Sequence, residues 1–171
     1  YLGRIRSFLA ALPETIDAFL VVTGDPWGSE YLPDHWALRA HLTGFTGSAG
    51  TLLLRRAAPH VLWTDSRYTL AAMERCRALG LVFCEEHRAL DRELPDKVRG
   101  LAVGFDPETL SEAEVRRLEA AFEEVGARLI ALPDALRTGW PDERPAEVAA
   151  PLFRIDPPEA SGLRLARLRE T

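Results

Sequence analysis

The sequence contains no asparagine and no glutamine, and Lys97 is its single lysine beside many arginines. The missing thermolabile amides fit a heat-adapted source, and a GC-rich genome explains the same bias. Two cysteines, Cys76 and Cys84, are too few for a disulfide framework, so reduced thiols are expected. No apolar run approaches the ~20 residues that a membrane span needs. The net charge of −5, with acids and arginines interspersed, provides no basic stripe for nucleic acid. Neither membrane insertion nor nucleic-acid binding is therefore expected.

What is present is the composition of an ordinary globular domain. With 171 residues, of which 47% are apolar and 27% charged, the chain is long enough to bury roughly 70% of its unfolded surface. Short apolar runs predict strands over residues 16–22, 51–54, 81–84, 101–105 and 127–132, with a further run ending at Trp63. Helical spacing predicts helices over residues 4–12, over 34–41 with Asp34 as the N-cap, over 68–79, over 111–125 from a capping box at Ser111 and Glu114, and from 133. This alternation through residue 139 predicts an α/β domain with a mixed, partly parallel sheet and helices on both faces.

The stretch from residue 42 to residue 68 combines a glycine-rich turn with a predicted hairpin. Gly44, Gly47 and Gly50 precede the first strand of the hairpin, and they leave positive φ and close backbone approach available to the turn. A dinucleotide-binding loop requires the spacing G-x-G-x-x-G between a strand and a helix, and neither the spacing nor the order fits here. We therefore interpret these glycines as turn geometry.

The second strand of the hairpin ends in Asp65, Ser66, Arg67 and Tyr68. One interpretation of this strand end is structural, with an internal ion pair and a core tyrosine. The other is that the planar, permanently charged guanidinium of Arg67 meets a carboxylate or carbonyl of a bound ligand. A second polar-aromatic group lies on a predicted loop and consists of Asp25, Glu30 and Tyr31 beside Trp27. Both interpretations, structural and ligand-binding, apply to it as well.

The sequence shows no pattern of metal ligands or catalytic nucleophiles. The histidines are scattered, without an H-E-x-x-H motif or a cysteine pair at ligand spacing, at His35, His41, His60 and His87. No segment resembles a nucleophile elbow, so Ser48 and Ser66 are interpreted as turn residues. We expect neither a catalytic residue nor a metal site in this chain.

The end of the chain differs in composition from the rest. Residues 1–139 form the predicted domain, whereas residues 140–160 hold five prolines without a sustained period and are predicted to be a linker. Helical spacing resumes over residues 161–171, which we interpret as the first helix of a following, truncated domain.

Four short motifs form a set. They read Asp-Pro-Trp-Gly-Ser-Glu-Tyr at residues 25–31, Leu-Thr-Gly-Phe-Thr-Gly-Ser-Ala-Gly at 42–50, Leu-Trp-Thr-Asp-Ser-Arg-Tyr at 62–68 and Val-Gly-Phe-Asp-Pro at 103–107. Their order is that of the Xaa-Pro aminopeptidases (aminopeptidase P), and the chain resembles the N-terminal, creatinase-type domain of that family. Asp-Glu-Arg-Pro at residues 142–145 resembles the family's passage into the next domain. Each motif is weak alone, whereas four in order followed by the linker are specific.

The resemblance implies the fold of a creatinase/prolidase N-terminal domain and a non-catalytic role. Members of the family release the N-terminal residue of peptides whose second residue is proline. They use two divalent metals, with manganese the expected ion, in a C-terminal domain that lies outside these 171 residues. By this resemblance the chain alone is inactive, caps the peptide entrance of the catalytic domain and aids formation of a homodimer. Its expected partners are that catalytic domain and proline-containing peptides, and its expected compartment is the cytoplasm.

The arginine of the family's Asp-x-Arg-Tyr motif, which is associated with contact to the bound peptide, falls on Arg67, the predicted substrate-binding residue. Two residues depart from the family pattern, because Trp27 stands where a histidine is usual and Ser66 replaces a glycine. Two alternatives remain open, a stand-alone peptide- or protein-binding module of the same fold and the N-terminal domain of a prolidase- or creatinase-like enzyme. A reading frame that continues beyond Thr171 into a second α/β domain and a metal-ligand domain separates the enzyme from the module.

Overall fold

One mixed sheet forms the centre of the domain. The computed structural model describes residues 1–85, 90–133, 135–140, 144–147 and 168. In that part of the chain the strands are β1 (Ala18–Val21), β2 (Thr51–Arg55), β3 (Val61–Thr64), β4 (Val82–Glu85), β5 (Ala102–Phe105) and β6 (Arg128–Ala131). Their order across the sheet is β4-β3-β2-β1-β5-β6.

The helices connect these strands and flank the sheet. In the described residues they are α1 (Leu2–Ala11), α2 (Leu38–Thr43), α3 (Thr69–Leu79), α4 (Leu90–Glu93), α5 (Pro95–Val98), α6 (Glu112–Glu123) and α7 (Ala135–Gly139). The predicted capping box opens α6, since Ser111 accepts from the N–H of Glu114 while the Glu114 carboxylate accepts from the N–H of Ser111 at 2.8 Å. None of the helices in this part of the chain is both long and apolar enough to cross a membrane.

The strand directions determine where the connecting loops meet. β2 pairs antiparallel with β1 and with β3, whereas the pairs β1–β5, β3–β4 and β5–β6 are parallel. The amino end of β2 therefore lies at the same edge of the sheet as the carboxyl ends of the other five strands. We call this edge, with the segments that follow those strands and precede β2, the carboxyl edge.

Helices cover both faces of the sheet, because successive strand residues point to opposite sides. Phe19 and Leu52 belong to an apolar cluster covered by α1, α2, α3 and α7. Leu20 and Leu53, the next residue in each strand, belong to a second cluster covered by α5 and α6. The α/β fold class predicted from the sequence, with a partly parallel sheet and helices on both faces, is confirmed.

The predicted start of the second helix is wrong. Asp34 was expected to be the N-cap of a helix to His41, but residues Asp34–Trp36 form a 3-10 turn without a capping side-chain bond, and α2 begins at Leu38. The tighter turn delivers the indole of Trp36 into the core, where it is buried. Burial of this large side chain therefore overrides the local capping signal.

Most of the predicted linker at 140–160 and of the predicted final helix at 161–171 lies outside the described residues. Within the described part, the guanidinium of Arg144 lies 5.1 Å from the ring centroid of Trp36 and 5.8 Å from that of Trp140. Its Nε donates to the carbonyl oxygen of His35 at 2.9 Å. The start of the proline-rich segment thus contacts the loop before α2.

The two cysteines are free thiols on different sides of the sheet. Cys76 on α3 belongs to the first apolar cluster, whereas Cys84 on β4 packs against the second. Burial raises the pKa of the Cys76 thiol to about 11, so this thiol is protonated at neutral pH.

Replacement of Gly104 in β5 tests how tightly the side chains of neighbouring strands and of the segment after β6 pack over this position. A Cβ at this position would lie 2.7 Å from Cδ1 of Leu132 and 2.9 Å from Cδ2 of Phe19. We expect Gly104→Ala to lower the free energy of unfolding by about 1–3 kcal/mol, measured by urea denaturation. Gly3→Ala is the matched control, since a Cβ there meets nothing within 4 Å and alanine suits a helix better, by roughly 0.5–1 kcal/mol. A Gly104→Ala variant as stable as the wild type would contradict the packing.

Candidate functional site

The carboxyl edge carries the motifs that the sequence singles out. The loop at residues 22–33 follows β1, the turn at residues 44–50 precedes β2, and residues 65–68 follow β3. These three strands are neighbours in the sheet, so the three segments lie side by side. In open α/β sheets, ligands bind in the crevice beyond the carboxyl ends of the strands. A cleft of about 460 Å³ lies at this edge, between the loop, the turn and α6. We therefore take the carboxyl edge as the candidate site.

A buried arginine holds the turn before β2. Arg39, on α2, is only 7% exposed, and its guanidinium lies 5.1 Å from the ring centroid of Phe45. Its Nη1 donates to the carbonyl oxygen of Gly50 and to Oγ1 of Thr23, and its Nη2 donates to the carbonyl oxygen of Gly47. Its acceptors among the described residues are thus carbonyl and hydroxyl oxygens rather than carboxylates. Burial lowers the pKa of Arg39 to about 10, so the guanidinium stays charged at neutral pH.

Two glycines allow the turn to pack this closely. A Cβ on Gly50, whose φ is +150°, would lie 2.9 Å from the carbonyl oxygen of Trp63 and 3.0 Å from Nη1 of Arg39. A Cβ on Gly47 would lie 2.6 Å from Cζ of Phe45. The glycine spacing therefore reflects the packing of the turn against Arg39 and Phe45.

At the end of β3, Asp65 fixes the side chain of Arg67. Oδ1 of Asp65 accepts from Nε of Arg67 at 3.0 Å, and Oδ2 accepts from Nη2 at 2.7 Å. The hydrogen bond from Arg67 lowers the pKa of the Asp65 carboxyl. The side chain of Arg67 nevertheless remains 66% exposed. Because a guanidinium carries five N–H donors, the donors that Asp65 does not use are available to a ligand.

Tyr68 joins this strand end to the glycine turn. Its phenolic oxygen lies 2.9 Å from Oγ of Ser48 in a hydrogen bond, and its ring packs edge-on against Phe45 at 6.1 Å. Thr64 at the end of β3 donates to the carbonyl oxygen of Ala49 at 2.8 Å. The turn and the strand end therefore form one rigid unit, with Arg39 beneath it and Arg67 at its rim.

The loop after β1 is organised by Asp25, which is buried. Its Oδ1 accepts from the N–H of Trp27 at 3.1 Å and from the N–H of Ser29 at 2.9 Å. Burial opposes ionisation, but the hydrogen bonds from Ser29 and Trp27 outweigh it and lower the pKa of Asp25. The loop exposes 65% of Trp27 and 75% of Tyr31. The indole of Trp27 packs edge-on against the buried Trp36, with the ring centroids 6.0 Å apart.

The described residues do not fit a metal centre. Nowhere in the described part do three or more His, Cys, Asp or Glu side chains form a group that can hold an ion. The oxygens of Asp65 are engaged by Arg67, and Nδ1 of His60 accepts from the N–H of Arg55 at 3.2 Å. His87 lies outside the described residues. No catalytic step through a metal follows from the described part of this chain.

The structure brings the predicted residue Arg67 together with Asp65 and Tyr68. The internal ion pair of the structural interpretation is present, while the exposure of Arg67 leaves its role toward a ligand as a prediction. Arg39 was not anticipated from the sequence. The available signal was its spacing, three residues after Trp36 and three before Leu42, which places a charge on the apolar side of a short helix.

Comparison with known proteins defines the class of the domain. The sequence profile of the creatinase/prolidase N-terminal domain family matches residues 2–138. The chain therefore belongs to this family, in agreement with the resemblance found in the four motifs.

The relatives of the chain include Xaa-Pro aminopeptidases. Aminopeptidase P1 of Lotus japonicus is 31% identical over 152 residues, which cover 87% of this chain and 23% of that protein. Xaa-Pro aminopeptidase 2 of Rattus norvegicus is 30% identical over 169 residues, which cover 90% of this chain and 24% of that protein. The chain thus spans about a quarter of the length of the curated relatives it matches.

A solved structure with the same fold is the X-prolyl aminopeptidase from Caenorhabditis elegans, described as a cytosolic enzyme with a di-nuclear active site. The match has a TM-score of 0.79 at 22% identity and covers 99% of this chain and 30% of that chain. The N-terminal domain of the cytoplasmic peptidase PepQ from Mycobacterium tuberculosis H37Rv matches with a TM-score of 0.61 at 24% identity, over 81% of this chain and 96% of that one. At these identities both matches show the fold.

Replacement of Arg39 tests whether it holds the carboxyl edge together. We expect Arg39→Met to destabilise the domain by about 2–4 kcal/mol, because the carbonyl oxygens of Gly47 and Gly50 lose a buried donor. Arg39→Lys should also destabilise it, since an ammonium lacks the planar fork that reaches both carbonyls. Urea denaturation measures both effects. Arg67→Ala, which removes an exposed arginine, is the control and should leave stability nearly unchanged. An Arg39→Met variant as stable as this control would contradict the role of Arg39.

The loop after β1 should lose stability in acid through Asp25. Because the folded-state pKa of Asp25 lies below its ordinary value of 3.8, its ionised form stabilises the fold above that value, and the contribution is lost as the pH falls through the folded pKa. Asp25→Asn should therefore be less stable than the wild type at pH 7, and the difference should shrink in strong acid. Urea denaturation at pH 7 and at about pH 3 tests this expectation. A difference that does not change with pH would contradict it.

Proposed function

We propose that this chain is the non-catalytic N-terminal domain of a metal-dependent Xaa-Pro aminopeptidase, and that its carboxyl edge caps the peptide entrance of the catalytic domain. The whole protein then releases the N-terminal residue from peptides whose second residue is proline. A C-terminal domain would hold two divalent metals, with manganese the expected ion, which would supply this chemistry. We further propose a cytoplasmic homodimer as the assembled form.

The observation that carries the proposal is the presentation of Arg67. It combines high exposure with a guanidinium plane fixed by Asp65, so its remaining N–H groups are oriented before a ligand arrives. An arginine that only stabilised the domain would gain little from such an exposed pair, because ion pairs in water contribute little to stability. A peptide carbonyl or carboxylate fits the vacant donors of this fork.

The other described residues favour a non-catalytic role over a catalytic one. The described residues offer no metal-ligand group, and the di-nuclear site of the Caenorhabditis elegans enzyme belongs to a chain more than three times as long as the matched segment. β4 lies at an edge of the described sheet and exposes Val82, which gives a partner domain or a second subunit a place to pack. Trp27 replaces the histidine usual in the family, so the polar contact of that histidine is absent here.

Replacement of Arg67 in the full-length protein tests the proposal. We expect Arg67→Ala to lower kcat/KM for X-Pro peptides by about tenfold or more, the usual effect of losing a charge-assisted hydrogen bond to a substrate. The melting temperature should stay close to that of the wild type, because the side chain is exposed.

Arg67→Lys provides the matched comparison, since it keeps the charge and loses the planar fork, and it should recover only part of the activity. Unchanged kinetics with a lowered melting temperature would instead assign Arg67 a purely structural role and contradict the proposal.

A further inference from the structure

The start of the proline-rich segment is fixed against the loop before α2 by two hydrogen bonds that run in opposite directions. Nε of Arg144 donates to the carbonyl oxygen of His35 at 2.9 Å. Nδ1 of His35 lies 2.7 Å from the carbonyl oxygen of Pro145, which can only accept, so this nitrogen donates. The pair of bonds defines where the chain passes at residues 144 and 145.

The guanidinium of Arg144 strengthens this anchor through aromatic rings. It lies 5.1 Å from the ring centroid of Trp36 and 5.8 Å from that of Trp140, within the ~6 Å range of cation–π contacts. Nη2 of the same guanidinium is buried and has no hydrogen-bond partner among the described residues. Arg144 therefore holds the segment in place and keeps one donor for an adjoining part of the protein.

An exposed indole lies beside this anchor. The ring of Trp27 packs edge-on against Trp36, with the ring centroids 6.0 Å apart, while 65% of Trp27 stays exposed. Trp27 and Arg144 thus contact the same ring, so their separation cannot exceed the two contact distances taken together. The exposed ring and the anchored segment belong to one patch of the surface.

The exposure of Trp27 sets it apart from the other tryptophans of the chain. Those three are at most 7% exposed, and they are Trp36, Trp63 and Trp140. The loop that carries Trp27 is ordered, because Oδ1 of Asp25 accepts from the N–H of Trp27 at 3.1 Å. A large ring on an ordered loop binds at a low entropic cost, and tryptophan is enriched at the energetic centre of protein interfaces.

The anchor beside Trp27 indicates what covers the indole. A domain joined to this one through residue 145 meets the ring at an effective concentration on the order of millimolar, as short linkers provide. A separate protein lacks this advantage and needs an interface of roughly 1,200–2,000 Å² for stable binding. The matched segment covers 23% and 24% of two curated relatives, so proteins of that length have ample chain for a further domain.

We propose that Trp27 and the anchored residues Arg144 and Pro145 form one docking surface, which is covered by the domain that follows the linker in the same polypeptide. The inference rests on the proposed function, because that function places further domains after this one. It assigns Trp27 to the contact between domains and not to the peptide. Docking at this surface fixes the loop after β1, and with it the carboxyl edge, relative to the rest of the protein.

Acrylamide quenching of tryptophan fluorescence tests this assignment. Subtraction of the Trp27→Phe signal from that of the wild type isolates Trp27, both in the 171-residue chain and in the full-length protein. We expect the quenching constant of Trp27 to be at least about threefold lower in the full-length protein, since docked residues at the centre of an interface are shielded from solvent. Circular dichroism verifies that each variant is folded.

Replacement of Arg144 tests the second half of the surface. In the full-length protein, Arg144→Ala releases the anchor and should restore part of the quenching of Trp27. Arg116→Ala is the matched control, because Arg116 is an exposed arginine on α6, and it should leave the quenching unchanged. An equal effect of the two substitutions would contradict the role of the anchor.

Three results would overturn the inference: equal quenching of Trp27 in the two proteins, shielding that disappears on dilution, or shielding that appears only when an X-Pro peptide is added. The second result would assign the surface to another copy of the protein, and the third to the peptide. Turnover of X-Pro peptides by the full-length protein separates this failure from failure of the proposed function. Turnover with an exposed Trp27 contradicts the inference alone, whereas a shielded Trp27 without turnover contradicts the proposed function alone.

Discussion

The carboxyl edge depends on a buried cation, Arg39, whose acceptors in the described part of the chain are carbonyl and hydroxyl oxygens and not carboxylates. Arg39 crosses from α2 to the turn before β2 and binds the carbonyl oxygens of Gly47 and Gly50, while Thr23 at the end of β1 contributes a hydroxyl. Burial of a charge is costly unless its donors find acceptors, and both terminal nitrogens of Arg39 find theirs in or beside the turn, so the geometry of the turn is constrained. Glycine at the two carbonyl positions follows from this constraint, because a Cβ would meet Arg39 or Phe45. One side chain thereby joins β1, α2 and β2.

This constraint accounts for how Arg67 is presented. The turn that Arg39 holds also carries Ser48, which binds Tyr68, and Tyr68 follows Arg67 directly. The exposed guanidinium of Arg67 is therefore connected to the buried Arg39 through Tyr68, Ser48 and the glycine turn. Rigid support of an exposed polar group is typical of binding surfaces, where the entropy cost of ordering is met during folding. The described residues supply shape and charge at this edge, and they supply no group of metal ligands.

Much of the fold could be predicted from the sequence because its signals are local. The capping box at Ser111, the apolar runs and the glycine that ends α3 each depend on a few neighbouring residues. The order of the strands and the contacts of Arg39 depend on residues far apart in the chain, so they left no such signal. Asp34 shows the same limit, because its capping pattern was overridden by burial of Trp36. At the candidate site, the motif containing Arg67 was visible, but the contact of Arg144 with Trp36 arises only when the proline-rich segment meets the loop before α2.

The central claim is that this chain contacts the peptide while the groups that break the bond lie in another domain. Release of the N-terminal residue from an X-Pro peptide by the purified 171-residue chain, with and without Mn²⁺, tests it most directly. The account predicts no release above that of Mn²⁺ alone, even where the peptide is bound. Release that depends on the chain and survives removal of trace proteases would contradict it.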